Sequence, residues 1–194
     1  MIAGEASLER KVDGRLQDAL DHWEGGLRTS GGALVPSKSN WYLVDFKWKN
    51  GSWRYCSIAD CPGDISMRDH EGSRATLARV EVTEARKSLG IMIAGDCNWK
   101  AEEARLLRAS VLWKSHVKAG HLSSSDAWYA VNHTIMKTVE YPMMATYLSK
   151  AQCEKIMRPF LNAGLSASGV VRSMPRAIVW GPTRYQGLGI RHLW

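Results

Sequence analysis

Hydrophobic and polar positions divide the chain into a part with mixed helix and strand patterns and a part with helix patterns alone. Near the start, apolar residues recur at spacings of three and four, as on one face of a helix: Leu8, Val12, Leu16, Leu20, Trp23 and Leu27. Gly31 and Gly32 follow, and glycine readily adopts the positive φ angle of a helix cap. We therefore predict a helix that ends at this glycine pair.

Two β-hairpins and one further strand are predicted after this helix. Residues 41–48 alternate apolar and polar side chains, and Asn50-Gly51 is a strong signal for a two-residue hairpin turn. Residues 52–56 form the return strand, with Trp53 and Tyr55 on one face. A weaker hairpin spans residues 65–80 around turn residues 69–72, and another strand is expected at residues 88–93.

Beyond Asp96 the hydrophobic period becomes that of helices. One helix is predicted over residues 99–117, and a second starts near Ser123 and stops before Pro142. A third begins with Ser149-x-x-Gln152, a capping-box pattern. The predicted fold class is α+β, with a helix and β-hairpins in residues 1–95 and a mostly helical region in residues 96–194.

Positive charge is concentrated in the helical part. The 194-residue chain has a net charge of +7, and residues 109–194 hold ten Lys and Arg against three Asp and Glu, so this stretch carries the whole surplus. A localised surplus predicts contact with a polyanion, and the alternative is an ordinary solvated basic surface. The following basic residues lie on the helices predicted in this basic half: Lys114, His116, Lys118, Lys137, Lys150, Lys155 and Arg158.

Several classes of protein and site are disfavoured. No apolar run approaches the roughly 20 residues that span a bilayer, so we expect no membrane contact. The four cysteines have no regular spacing, so we predict reduced thiols in an intracellular protein of the nucleus or cytoplasm, and no metal site. Six tryptophans are either core residues, the favoured interpretation, or stacking platforms for bases: Trp23, Trp41, Trp48, Trp99, Trp113 and Trp128.

Five motifs, taken in order and spacing, resemble the reverse transcriptases of non-LTR-like retrotransposons. They are the helix, glycine turn and Lys38 of residues 23–39, the segment 84–91 that ends in Leu89-Gly90-Ile91, and three later motifs: Glu140-Tyr141-Pro142, residues 172–176 and residues 185–190. The resemblance covers residues 14–194. It implies part of a polymerase palm, the β-hairpin known as the primer grip, and a helical thumb that holds the template–primer duplex.

The resemblance also implies roles for individual residues. Lys38 is similar to the lysine that assists the departure of pyrophosphate, and its alternative role is that of a solvated lysine before a strand. Leu89, Gly90 and Ile91 would form the primer grip, or Gly90 would mark a β-bulge. The implied contacts with nucleic acid are Arg86, Lys87, Lys114, Lys118 and Lys137.

One departure from the family limits the functional hypothesis. The sequence contains no Asp-Asp pair, whereas polymerase chemistry needs carboxylates that hold two metal ions. We therefore interpret the chain as a fragment that binds the RNA/DNA template–primer duplex and is inactive without a missing N-terminal catalytic half. No cofactor is predicted in this chain, although the complete parent enzyme would use Mg²⁺. The alternative is a stand-alone nucleic-acid-binding or structural protein.

Overall fold

The first helix, α1, covers Ala3–Thr29 and ends as its glycine pair predicts. Gly31 has a φ of 81°. Its N–H donates to the carbonyl of Arg28 at 3.1 Å, and the N–H of Gly32 donates to the carbonyl of Leu27 at 2.9 Å. This pair of bonds is the Schellman motif, and the predicted helix end is confirmed. The computed structural model describes residues 3–194, with side chains from residue 12 onward, so Leu8 lies outside the described side chains.

The packed face of α1 is more polar than its sequence pattern indicates. Three members of the predicted apolar stripe are 40–58% exposed: Val12, Leu16 and Trp23. Instead, the Gln17 carboxamide donates to the carbonyl of Ser66 at 2.8 Å and accepts from its N–H at 2.9 Å. The Glu24 carboxylate is 4% exposed and accepts from the N–H of Arg68 at 3.2 Å. Part of the helix is therefore attached by side chains that complete the hydrogen bonding of a strand.

Six short strands follow α1, and they form three separate two-stranded sheets. Strand β1 (Asn40–Trp41) pairs in parallel with β6 (Ala78–Arg79). Strands β2 (Phe46–Lys49) and β3 (Ser52–Tyr55) are antiparallel, as are β4 (Ser66–Arg68) and β5 (Arg74–Thr76). Both predicted hairpins are confirmed. The single strand predicted over residues 41–48 is wrong, because residues 42–45 separate β1 from β2.

The β2–β3 hairpin carries an exposed ladder of aromatic side chains. Asn50 and Gly51 have φ angles of 52° and 75°, as a type I′ turn requires. Trp48 lies opposite Trp53, with ring centroids 5.1 Å apart. These two side chains are 61% and 67% exposed, so the expectation that the tryptophans are core residues is wrong at this hairpin. A small apolar core lies elsewhere among these strands and contains Trp41, Ile65, Met67 and Leu77.

The remaining elements are two strands and a set of helices. They are β7 (Arg86–Ser88), β8 (Ile91–Ile93), α2 (Lys100–Ala119), α3 (Ser124–Ala130), a π-helical turn (Val131–Ile135), α4 (Met136–Glu140), α5 (Lys150–Ala167) and α6 (Arg176–Trp180). Short 3₁₀ turns occupy Pro36–Lys38, Tyr141–Met144 and Thr183–Tyr185. All three predicted helical segments are confirmed, and the second includes the π-helical turn. Ser149 and Gln152 form the predicted capping box.

A second apolar core lies among these helices. Its buried members come from α2, the π-helical turn, α4, the segment before α5, α5, α6 and the C-terminal segment: Leu106, Val131, Ile135, Met136, Val139, Leu148, Cys153, Ile156, Met157, Phe160, Leu161, Leu165, Val179 and Ile190. Residues four apart on the α3–π–α4 segment supply one contiguous buried face: Ala127, Val131, Ile135 and Val139.

The fold is thus α+β and divides into two compact units. The first contains Met1–Ala85 and Ala94–Asp96, and the second contains Arg86–Ile93 and Cys97–Trp194. The β7–β8 hairpin therefore groups with the helices, whereas the sequence pattern placed it with residues 1–95. Within the described residues, none of the helices has the length and apolar character needed to cross a bilayer.

Gly164 tests the packing of the helical unit. A Cβ at this position of α5 would lie 2.3 Å from Cγ2 of Val131 and 3.4 Å from the ring of Trp113. We expect Gly164→Ala to lower the free energy of unfolding by about 1–3 kcal/mol, because overpacking outweighs the better helix propensity of alanine. Gly25→Ala in α1 is the matched control. Within the described residues, and apart from its chain neighbours and the backbone of its own helix, no atom lies within 4 Å of its Cβ position, and we expect a gain of about 0.5–1 kcal/mol. Denaturant unfolding followed by circular dichroism measures both values, and a stabilised Gly164→Ala variant would contradict the packing.

A carboxylate between α2 and α5 predicts sensitivity to acid. Glu103 accepts hydrogen bonds from Lys155 and Gln152, both at 2.7 Å. These two hydrogen bonds hold the pKa of Glu103 below its ordinary value, and the bond from Lys155 has the larger effect. A carboxyl whose pKa is lower in the folded state stabilises the fold while ionised. Its contribution is therefore full above the ordinary value of 4.5 and is lost as the pH falls through the lower folded value.

We expect Glu103→Gln to remove this part of the pH dependence. The free energy of unfolding, measured by denaturant titration from about pH 7 down to about pH 3, should fall less steeply in the variant than in the unmodified protein. Glu154→Gln, on the exposed side of α5, should leave the slope unchanged. Identical acid profiles for the unmodified protein and Glu103→Gln would show that the contact contributes nothing.

Candidate nucleic-acid interface

The segment that resembles a primer grip is a β-hairpin with a two-residue turn, and not one continuous strand. Strands β7 and β8 are antiparallel, with Ser88 opposite Ile91. Between them Leu89 and Gly90 have φ angles of 48° and 86°. Two consecutive residues with positive φ reverse the chain as in a type I′ turn, so the continuous strand predicted for residues 88–93 is wrong. Leu89 lies at the tip and is 87% exposed.

Tyr141 holds this turn in place. Its hydroxyl donates to the carbonyl of Leu89 at 2.8 Å. Its ring lies 3.6 Å from the position of a Cβ at Gly90. The motif Glu140-Tyr141-Pro142 therefore meets the motif Leu89-Gly90 across 52 residues of sequence. Both motifs were recognised in the sequence, but no spacing rule indicated that Tyr141 contacts Leu89 and Gly90.

The base of the hairpin is attached to α2 through a buried carboxylate. Glu102 is completely buried, and its Oε2 accepts from the N–H of Met92 at 2.9 Å. Arg105 donates to both carboxylate oxygens, at 2.8 and 2.5 Å. The bond to Glu102 raises the pKa of Arg105. Ile91 is 6% exposed and belongs to the packed side, which removes it from the set of direct nucleic-acid contacts.

Two predicted contact residues, Arg86 and Lys87, lie exposed on β7. The predicted residues of the helices differ among themselves. Lys118 is exposed on α2 and Lys114 is half-buried there. Lys137 lies 3.7 Å from the Glu140 carboxylate, which Arg191 also contacts at 2.8 Å. Lys137 therefore offers less uncompensated charge than Lys118.

Most of the positive charge of residues 109–194 is not neutralised by ion pairs. Among the described side chains, three of the ten Lys and Arg in this range pair with a carboxylate: Lys137, Lys155 and Arg191. Within the same described side chains, the seven others have no carboxylate within 4.0 Å: Lys114, Lys118, Lys150, Arg158, Arg172, Arg176 and Arg184. Lys114 is half-buried, and the other six are exposed. The surplus seen in the sequence is thus a surface property of the helical unit.

Three of these cations line a cleft beside α5. The cleft has a volume of about 560 Å³ and is lined by Lys150, Glu154, Met157, Arg158, Leu161, Arg176, Trp180, His192 and Trp194. The Nζ atom of Lys150 lies 5.5 Å from the ring centroid of Trp194. Trp180 and His192 meet edge to face at 5.0 Å. Cations beside aromatic rings can hold a phosphate and stack on a base or sugar.

Of the cleft residues, Lys150 and Arg158 were named from the sequence only as members of a basic set and Arg176 only within the motif of residues 172–176, while the two tryptophans were missed. Those residues lie in a C-terminal stretch rich in Gly and Pro, where helix and strand periodicities are weak. The spacing of Lys150 and Arg158 on α5 was the sequence signal that could have indicated the cleft. The remaining lining residues come together only through tertiary packing.

Lys38 belongs to the first unit, whereas all other predicted site residues belong to the second. It is exposed at the end of the 3₁₀ turn Pro36–Lys38. The sequence contains one Asp-x-Glu, Asp69-His70-Glu71, in the turn between β4 and β5. There Oδ1 of Asp69 accepts the N–H groups of Glu71 and Ser73, both at 2.9 Å. This is the local hydrogen bonding expected of a turn aspartate.

Comparisons with protein-family models, curated proteins and solved structures gave no match.

The contact between Tyr141 and the hairpin turn gives a direct test. We expect Tyr141→Phe to keep the ring beside Gly90 but lose the hydrogen bond to Leu89, at a cost of about 0.5–1.5 kcal/mol. Amide hydrogen exchange in residues 86–93 should accelerate while exchange in α5 stays unchanged. Tyr147→Phe is the matched control, because Tyr147 is 83% exposed. Equal exchange in both variants would show that Tyr141 does not hold the turn.

Proposed function

We propose that this chain binds the sugar–phosphate backbone of an RNA/DNA template–primer duplex, as the primer grip and thumb of a retrotransposon reverse transcriptase do. The observation that carries the proposal is the set of seven cations in residues 109–194 that lack a carboxylate partner among the described side chains. Cations already engaged by carboxylates would offer little to a phosphate. Unengaged ones release counterions from nucleic acid when they bind.

The β7–β8 hairpin supports the same function. A primer grip needs a rigid backbone turn with cations close by, so that the turn can approach a phosphate or sugar. Tyr141 and Glu102 fix the turn and the base of this hairpin by hydrogen bonds. Arg86 and Lys87 lie on its exposed strand. Gly90 leaves the backbone at the turn without a side chain.

We further propose that the chain does not synthesise DNA alone. Phosphoryl transfer by polymerases uses two Mg²⁺ ions held by closely spaced carboxylates, and the sequence offers no Asp-Asp pair. Synthesis would require a separate partner, the catalytic half of the polymerase, and Mg²⁺ would bind there. Lys38 would serve that complete enzyme and would have no role in the isolated chain.

The salt dependence of duplex binding tests the proposal. We expect the unmodified chain to bind an RNA/DNA hybrid with an affinity on the order of micromolar at physiological salt and with little sequence preference. In the triple variant Lys150→Gln, Arg158→Gln and Arg176→Gln, the three cleft cations are replaced by glutamine. The negative slope of log affinity against log salt should become shallower by about three units, one per lost phosphate contact. In the double variant Lys114→Gln and Lys118→Gln, the slope should become shallower by about two units.

A triple variant of the first unit is the matched control: Lys38→Gln, Lys49→Gln and Arg54→Gln remove the same charge as the cleft variant. Its slope should stay that of the unmodified chain. Equal losses in the cleft variant and the control would show a diffuse effect of net charge. Tighter binding to single strands than to the hybrid would favour the stand-alone nucleic-acid-binding alternative. Primer extension by the purified chain would contradict the proposal of an inactive fragment.

A further inference from the structure

Two cysteines and an aspartate converge beside the β2–β3 hairpin. A carboxylate oxygen of Asp45 and the sulfur atoms of Cys56 and Cys61 all lie within 4.8 Å of one another. The Sγ atom of Cys61 lies 3.8 Å from Oδ2 of Asp45. Cys61 is 4% exposed, and the other two residues are half-buried. These side chains belong to neither the basic cleft nor the β7–β8 hairpin.

Local structure builds this cluster. Asp45 and Cys56 flank the paired strands, and the N–H of Cys56 donates to the carbonyl of Asp45 at 2.9 Å. A turn then returns the chain, with the N–H of Cys61 donating to the carbonyl of Ser57 at 3.2 Å. The N–H of Phe46 donates to Oδ1 of Asp45 at 2.8 Å. The carboxylate is thus oriented by a backbone donor while Oδ2 faces the thiol of Cys61, as outer partners orient metal ligands.

The donor set and its dimensions suit a tetrahedral zinc ion. Two thiolates and a carboxylate are ligands that zinc accepts, and a spacing of four residues between cysteines lies within the range of zinc sites. Zinc–ligand bonds of about 2.0–2.3 Å place neighbouring donors about 3.5–3.8 Å apart. The distance between Cys61 and Asp45 is already of this size.

We propose that Asp45, Cys56 and Cys61 bind a zinc ion, with water at the fourth position. Binding replaces the protons of both thiols by the metal, and the two protons pass to solvent. The ion would connect the end of the hairpin to the turn that follows it. No metal site was predicted from the sequence, because its four cysteines have no regular spacing. The third donor lies eleven residues upstream, and the hairpin brings it to the cysteines.

Cobalt substitution on the full chain tests this site. Reduced, metal-free protein titrated with Co²⁺ should develop thiolate-to-cobalt charge-transfer absorption and the intense visible bands of a tetrahedral ion, saturating at one ion per chain, and zinc should displace the cobalt. Cys56→Ser should halve the charge-transfer intensity per bound ion, and Asp45→Asn should weaken zinc affinity by at least about tenfold. Cys97→Ser is the matched control, because Cys97 is exposed and belongs to the second unit.

Alkylation of the unmodified chain keeps the test independent of variant folding. Zinc should slow the alkylation of Cys56 by at least about tenfold, as read by peptide mass spectrometry, and should leave Cys97 unchanged. Absence of charge-transfer absorption in the reduced protein would overturn the proposal. So would charge-transfer bands that keep their full intensity per bound ion in a Cys56→Ser variant with a native circular dichroism spectrum, or zinc protection of Cys97 in place of Cys56.

Discussion

The burial of one carboxylate constrains the geometry of the helical unit. Glu102 has no exposed surface, and an ionised carboxylate in such a position costs several kcal/mol unless hydrogen bonds compensate it. Arg105 supplies two of those bonds from the next turn of α2, and the N–H of Met92 supplies a third. Removing any one of these donors would leave a buried charge partly unsatisfied. The hairpin is thus held to α2 by an electrostatic requirement as well as by apolar contact.

The position of the turn follows from this attachment. With β8 fixed at Met92, the tip at Leu89 and Gly90 comes within reach of Tyr141 on the 3₁₀ turn after α4. The hairpin is short, since each strand has three residues, and an isolated hairpin of this length is marginal in water. Two side chains from different helical elements supply the stability that its own pairing lacks. Such a support keeps a backbone turn rigid while its outer strand stays open to solvent.

Elements whose local chemistry agrees with their final environment were predictable from sequence. The Gly31-Gly32 helix end, the Asn50-Gly51 turn and the Ser149 capping box each depend on residues within five positions of one another. Leu89-Gly90 was misjudged because leucine is an unusual residue with positive φ, and a leucine in an apolar run indicates a strand. The polar attachment of α1 was missed for another reason: Gln17 and Glu24 bind strand backbone 49 and 44 residues away. The candidate zinc ligands and the cleft likewise depend on contacts between distant segments.

The π-helical turn has a consequence for how this chain can change in length. An α-helix advances about 100° per residue, so a strict repeat of four drifts by about 40° at each step. Ala127, Val131, Ile135 and Val139 keep such a repeat and all remain buried. The wider turn at Val131–Ile135 absorbs the drift, because a π-turn holds one residue more than an α-turn. Deleting a single residue there would reduce the spacing from Val131 to Ile135 from four to three, so an ordinary α-helix would keep Met136 and Val139 turned to the core. The segment can therefore lose one residue at the π-helical turn, whereas a deletion elsewhere in α3 or α4 would turn the buried side chains that follow it about 100° away from the core.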